Sequence, residues 1–340
     1  MDYTEDEVAA EVRGLATKIL DELASHAVLS RLPPGAWPEA AWRALGEAGL
    51  LSMVDDVAGP GAPMPSLPAV AALWEACGAS GAALPVDTLV VGALFPELVG
   101  EHAALAIEDP LEIHERTRFS AGLLRGVKSA VPFARAASSF VVCAMDSDGP
   151  CVVRVRASAA SIDEQHGTYV IPLGRVTFDD APGARIGGPA HHDALLRLTW
   201  LAQAAVMSGA AHRALALTAD HARTREQFGA PIGTFQAVSQ RIADMWIDAR
   251  SMRLTLDQAV YEVSAGHDAG RAVDIARFVA GDAGHRVMAG AQHIHGGIGF
   301  DRDHPLHRLF LTFKHHEFAA GGAAPRRLAA FASRRAHASR

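Results

Sequence analysis

The sequence predicts a mainly helical protein with a small β module set into its middle. Three observations lead there. Apolar residues recur at a helical period through the first third and alternate with turn residues from Phe119 to about Gly188. From about Asp193 almost to the end they return to the helical period. No repeat of about 20–50 residues crosses that order, which argues against a solenoid. The predicted division is an N-terminal helical domain at 1–108, a shortened middle β domain at 109–190 and a C-terminal helical-bundle domain at 191–340.

Within the first third, Thr4 with Glu7 three residues on forms a capping box, and Val8, Val12, Leu15, Ile19 and Leu20 follow at helical spacing. Pro33-Pro34-Gly35 breaks the chain, and Trp37 to Ala48 reads as a second helix ended at Gly49. Gly59-Pro60-Gly61 marks a loop through 58–68, after which Leu67 to Ala76 and Asp87 to Val99 read as helices. In the β module the short apolar runs are Phe140–Ala144, Cys151–Val155, Tyr169–Ile171 and Val176–Phe178. Asp146-Ser-Asp-Gly149 makes a hairpin turn between the first two, and an antiparallel arrangement is expected. In the last third Ile242, Met245, Trp246, Ala249, Met252 and Leu256 form one stripe of a long helix.

Composition narrows the function. A chain of 340 residues with 49% hydrophobic and 20% charged residues is ordinary globular material that can bury a large core. The formal charge of −7 offers no general attraction for nucleic acid. Cys77, Cys143 and Cys151 are too scattered for a disulfide framework or a thiolate metal site, and suit a reducing cytoplasm. The acidic start lacks the apolar stretch of a signal peptide. The longest uncharged apolar run, Leu198–Ala211, falls short of the roughly 20 residues a spanning helix needs, so it reads as a buried core helix.

Two stretches carry candidate chemistry. Arg223 to Val238 reads as a helix end, a Gly229 stop with Pro231 beyond it, and a new start at Thr234. Arg225 there can grip a pyrophosphate through two parallel hydrogen bonds, and Phe228 offers an apolar surface. The alternative is that Arg223 and Arg225 complement a helix C-terminus. Gln292 to Phe300 contains Gly296-Gly297, which lets backbone approach a ligand or another helix. His293 and His295 are two apart and point to different sides of a helix, a poor metal pair, as are the adjacent His315 and His316.

Together these stretches resemble the C-terminal domain of acyl-CoA dehydrogenases, flavoenzymes that oxidise acyl-CoA thioesters to 2,3-enoyl-CoA. The R-x-x-F-G, F-Q-A-V and H-G-G-x-G elements stand in that family's order. Leu45–Leu51, Gly126-Val-Lys128 and Val176-Thr-Phe178 look like further parts of its pattern. The resemblance implies an acyl-CoA dehydrogenase-like fold of N-terminal helices, a middle β domain and a C-terminal four-helix bundle. It also implies FAD as cofactor and an electron-transfer acceptor.

The departures are as informative. The family's usual base is a Glu-Gly pair, and Ala320-Gly321 stands in its place. Some members carry the base at the start of the first C-terminal helix, where this chain has Thr199-Trp200. The flavin-contacting T-E-P, G-S-D and W-I-T/S-N elements are replaced by Ile107-Glu-Asp-Pro110 and Lys128-Ser-Ala-Val131. The family's elements that reach across to a neighbouring subunit's FAD remain. The chain therefore resembles the smaller, base-less subunit of α₂β₂ acyl-CoA dehydrogenases of bacterial steroid side-chain degradation. By that resemblance, Arg225, Gln227, Phe228, Gln236, His293, Gly296 and Gly297 serve an FAD shared with a larger catalytic subunit. Two alternatives stand beside it. One is a self-sufficient flavoenzyme with Glu317, about a helical turn before Ala320, as a displaced base. The other is a non-enzymatic scaffold or acyl-CoA-binding protein.

Overall fold

The computed structural model describes residues 6–33, 35–53, 59–110, 116–165, 167 and 170–321. Thr4 lies outside them, and the cap of helix α1 (Glu7–Leu23) is Asp6, whose carboxylate accepts the Ala9 N–H at 3.0 Å. Helix α1 buries Ala9, Val12, Ala16 and Leu20, while Val8 and Leu15 of the expected stripe face outward. A single turn, α2 (His26–Leu29), precedes α3 (Glu39–Glu47). Helix α3 starts after Trp37-Pro38 rather than at Trp37, because the residue before a proline is disfavoured in helical geometry. Gly49, at φ +79°, ends it as expected.

Helix α4 (Leu67–Ser80) runs one turn further than expected, to the left-handed Gly81, and is buried almost all round. Helix α5 (Asp87–Leu94) stops short of the expected Val99 because Pro96 cannot continue it; a 3₁₀ turn over Pro96–Leu98 follows.

The β module comprises β1 (Ala103–Ala106), β2 (Arg118–Ser120), β3 (Leu123–Pro132), β4 (Ser139–Asp146), β5 (Gly149–Arg156), β6 (Ser161–Gln165) and β7 (Leu173–Gly187). The pairings run β1-β4-β2-β3-β7-β5, and β5 pairs back to β4, so the path closes on itself; β6 adds to β7. The β4–β5 hairpin turns where expected, with Asp146 opposite Gly149. The purely antiparallel expectation is corrected: β1 and β2 both run parallel to β4. Val170 and Ile171 are not in a strand, and Tyr169 lies outside the described residues. The module has its own core, in which Phe140 and Phe178 meet edge to face at 6.0 Å.

Among the described residues four helices complete the fold: α6 (Pro189–Thr224), α7 (Gln236–Ser264), α8 (Gly270–His295) and α9 (Leu306–Ala319). Helix α6 is their axis, and its Leu198–Ala211 stretch is buried on nearly every side, the core helix that its apolar run predicts. It approaches α4 so closely that a Cβ on Gly209 would stand 1.9 Å from the Glu75 carbonyl oxygen. The Glu75 carboxylate accepts hydrogen bonds from Arg13 at 2.8 Å, Arg253 at 2.8 Å and Ser208 at 2.9 Å, tying α1, α7 and α6 to α4. Helices of the first and last thirds thus share one core. Met245, Ala249, Met252 and Leu256 of α7 face it, whereas Trp246 points outward. All three cysteines are buried and unbridged. Among the described residues no helix is long and apolar enough to cross a membrane.

Candidate functional site

The Arg225 stretch is built differently from its expectation. Helix α6 ends at Thr224, and Arg225 is its extended C-cap. Gly229 is no helix stop: Glu226–Gln227 (β8) pairs with Ala230–Pro231 (β9), leaving Phe228 and Gly229 as a two-residue turn. Both turn residues have positive φ, +55° and +81°. After a 3₁₀ turn at Ile232–Thr234, α7 starts at Gln236 rather than Thr234. The hairpin holds Arg225, Gln227, Phe228 and Gln236 on the surface, with Phe228 95% exposed and edge-on to Phe235 at 6.1 Å. Gln227 Nε2 donates to the Glu226 carbonyl at 2.6 Å. Arg225 has no ion pair among the described residues.

At the end of α8, His293 is exposed and His295 buried, on opposite sides as their spacing predicts. Gly296 has φ +61°, and a Cβ on Gly296 or Gly297 would meet nothing within 4 Å, so this backbone faces open space.

The two stretches lie together. The ring of His221, one helical turn before Arg225, stacks on His295 at 4.5 Å with 18° between planes, and His304 stands 5.0 Å from His295. His295 Nδ1 donates to the Ala291 carbonyl at 2.9 Å. Its Nε2 and the nearby Gln292 Oε1 are buried without a hydrogen-bond partner. Burial pushes His295 below the ordinary histidine range; burial and then the neighbouring His295, His304 and Arg225 do the same to His221. Sequence reasoning named His293 here and missed His221 and His304. The available signal was a histidine four residues before the candidate arginine, on the same helix face.

A flavin nucleotide fits this surface in chemical terms. An unpaired guanidinium, two glycines with open backbone and an exposed aromatic ring match a diphosphate and flat rings.

At Thr199 and Ala320, where the resemblance puts a base, the side chains present carry no carboxylate. Thr199 is buried, with its hydroxyl donating to the Leu195 carbonyl at 2.7 Å. Ala320 is fully buried, and its carbonyl accepts from Arg277 Nε at 2.7 Å and from Arg277 Nη2. Glu317 accepts a hydrogen bond from Lys314 at 2.6 Å, and His285 Nδ1 lies 3.4 Å from its other oxygen. Lys128 is buried, 2.9 Å from Asp109 and donating to the Ile107 carbonyl at 2.8 Å.

Known proteins resemble this chain in sequence and fold. The family profile "Acyl-CoA dehydrogenase, C-terminal domain" matches residues 194–329. Acyl-CoA dehydrogenase FadE27 of Mycobacterium tuberculosis is 35% identical over 95% of this chain and 96% of its own. A chain of the ChsE4-ChsE5 complex from Mycobacterium tuberculosis superposes with TM-score 0.86 at 32% identity, covering 96% of both chains. A chain of the Tcur3481-Tcur3483 steroid ACAD, in its G363A variant, does so with TM-score 0.87 at 30% identity, covering 98% of this chain and 99% of that one. With a relative alike over almost its full length and the fold shared throughout, this chain belongs to the acyl-CoA dehydrogenase family, whose members are FAD-dependent.

Proposed function

We propose that the chain is the base-less subunit of a heteromeric, FAD-dependent acyl-CoA dehydrogenase, lending its nucleotide-binding arm to a larger catalytic partner. The observation that carries this reading is the outward face of the arm. Arg225, Gln227, Phe228, Gln236 and His293 stand exposed, and Gly296 and Gly297 open to space. A cofactor resting there has its opposite wall on another chain. A 95% exposed phenylalanine is itself a mark of a surface that is covered in use. Trp246, Ile247 and Phe300 extend the exposed apolar surface of the C-terminal helices and their connections.

When bound, FAD supplies the hydride acceptor for α,β-dehydrogenation of an acyl-CoA thioester. Arg225 would hold the diphosphate, Gly296 and Gly297 would let it approach the backbone, and Phe228 would cover a flat ring. Neither Ala320 nor Thr199 can take a proton from substrate, so the base is the partner's. Two of the structural relatives are complexes of unlike chains, and one is called a steroid ACAD. A steroid side-chain thioester is the substrate class proposed. The α₂β₂ assembly and a cytoplasmic setting belong to the same proposal.

Purification of the chain alone, and after co-expression with a catalytic dehydrogenase subunit, tests this. Flavin absorbance and subunit ratio should show little FAD on the chain alone and stoichiometric FAD on the unlike pair. Stoichiometric flavin on the chain alone would overturn the proposal.

A further inference from the structure

The two halves of the exposed arm lie far apart in sequence, and a ring stack joins them where the packed helices α6 and α8 meet. His221 sits on α6 one turn before Arg225, and His295 on α8 immediately before Gly296. Their rings stack at 4.5 Å, nearly parallel, and His304 stands against His295 at 5.0 Å from the segment leading into α9. That segment is anchored by α2, whose His26 Nε2 donates to the Asp303 carbonyl at 2.8 Å.

The His295 tautomer follows from its partner. A carbonyl only accepts, so Nδ1 carries the proton and Nε2 a lone pair, buried with no partner. A second proton on that ring would turn Nε2 into a buried donor that has no hydrogen-bond partner in the present arrangement. It would also place a charge against His221 and His304, with Arg225 beyond His221 and His26 beyond His304. Among the described residues the negative group at the stack is Asp301, beside His304.

We propose that His221 and His295 are positioning residues: stacked as neutral rings, they set the spacing between the Arg225 hairpin and the Gly296–Gly297 turn, and protonation of the stack separates the two halves and releases the nucleotide. This rests on the reading of the arm as a flavin-nucleotide site. Burial holds His221, His295 and His304 below the ordinary value of 6.5, so the joint is neutral at neutral pH and above and fails on acidification.

Two measurements test it. Hydrogen exchange on the chain alone, corrected for intrinsic rates, should show residues 225–236 and 292–300 losing protection together as pH falls. In the His221→Phe/His295→Phe variant, which keeps a ring stack that cannot ionise, protection should persist. FAD titrated into the complex with the catalytic partner should bind progressively more weakly as pH is taken from 8 down through the acid range of these histidines, a site that must stay neutral losing up to about tenfold per pH unit below its pKa. The double variant should bind FAD within a few-fold of wild type at pH 8 and lose this dependence. Wild-type pH dependence retained in the double variant would overturn the proposal, as would protection that ignores pH in the wild-type chain. Coupled protection changes without FAD binding at any pH would overturn the nucleotide reading and leave the joint standing.

Discussion

Arg277 and Trp200 stand face to face, the guanidinium carbon 4.0 Å from the ring centre, while the same guanidinium donates to the carbonyl of Ala320. One cation on α8 therefore touches Ala320, where the resemblance places the family's usual base, and Trp200, the neighbour of the other candidate position Thr199. A Cβ on Gly321 would stand 3.0 Å from Arg277 Nη2, so the group also packs against the glycine that ends the motif. Arg277 thereby latches α8 to α6 and to the end of α9.

That latch opposes any simple restoration of activity. A glutamate placed at 320 would lie beside a guanidinium, which favours its ionised form and ties it in an ion pair. Ala320→Glu should therefore confer no measurable acyl-CoA dehydrogenation on the chain, far from the 10²–10⁴-fold that a working base contributes. Dye reduction with an acyl-CoA substrate in the presence of FAD checks this. Arg277→Ala should destabilise the fold by about 2–4 kcal/mol in urea titrations, from the lost charge-assisted hydrogen bonds and cation–π contact.

Phe228 occupies a left-handed backbone position at which asparagine or glycine is the usual turn residue. Phe228→Asn should stabilise the isolated chain by about 0.5–1 kcal/mol while weakening flavin retention and assembly with the partner. Equal or lower stability in the variant would mean that the turn is not strained by its phenylalanine.

Glu317 is held by Lys314 in a largely buried ion pair, and the same ammonium donates to His285 Nδ1 at 2.7 Å. Glu317→Gln should cost about 3 kcal/mol of stability, because the Lys314 ammonium loses its counter-charge. The activity of the assembled complex should stay within a few-fold, whereas loss of a true base costs about 10²–10⁴-fold. A kinetic loss of that size with flavin content unchanged would move the catalytic role to this chain.

Helices were legible where one face repeats at 3.6 residues and a glycine marks the end, as at Gly49, whereas the end of α4 at Gly81 was read a turn early, at Ala76. Trp246 was assigned to the buried stripe because it adjoins Met245, yet one residue turns the helix by about 100°. Strand β1, Ala-Ala-Leu-Ala, carries no β-branched residue and no alternation; its pairing with β4 supplies the strand. The Glu226–Pro231 hairpin was hidden because Gly229 and Pro231 punctuate a helix end and a turn equally well. Arg225 and the glycine pair were legible as motifs. The His221–His295 stack and the Arg277 latch were not, since each joins residues of different helices and leaves no local pattern.

Acid should unfold the protein earlier than its net charge suggests. His315, buried, is pushed down to about 4, and His316, His307, His192 and His102 are also lowered by burial. Such a group takes up its proton first in the unfolded chain. Stability is therefore complete above the unfolded value of 6.5 and falls as pH drops below it. His315 alone accounts for about 3 kcal/mol by pH 4. Asp87, raised by burial to about 6, works in the opposite direction, its protonation favouring the fold as pH falls from 6 toward 3.8. Urea midpoints at pH 7.5, 6 and 5 should fall in that order, and Asp87→Asn should steepen the fall. A flat profile would mean that the buried histidines are reached by water in the folded chain.

Arg225 is the residue on which the shared-cofactor reading depends most. It caps α6, stands exposed, and has no ion pair among the described residues to compete for its guanidinium. Hydrogen bonds to charged groups contribute about 1.5–3 kcal/mol, so Arg225→Ala should weaken FAD binding to the assembled complex by about 10–150-fold. Arg225→Lys should recover only part of this, because an ammonium keeps the charge and loses the planar fork. Assembly itself should survive, since the substitution opens no cavity in a core. Titration of the apo-complex with FAD, alongside subunit ratio by light scattering, separates the two effects. Unchanged affinity in the alanine variant would reduce Arg225 to a charge at a helix terminus, and the diphosphate would have to be held by the partner alone.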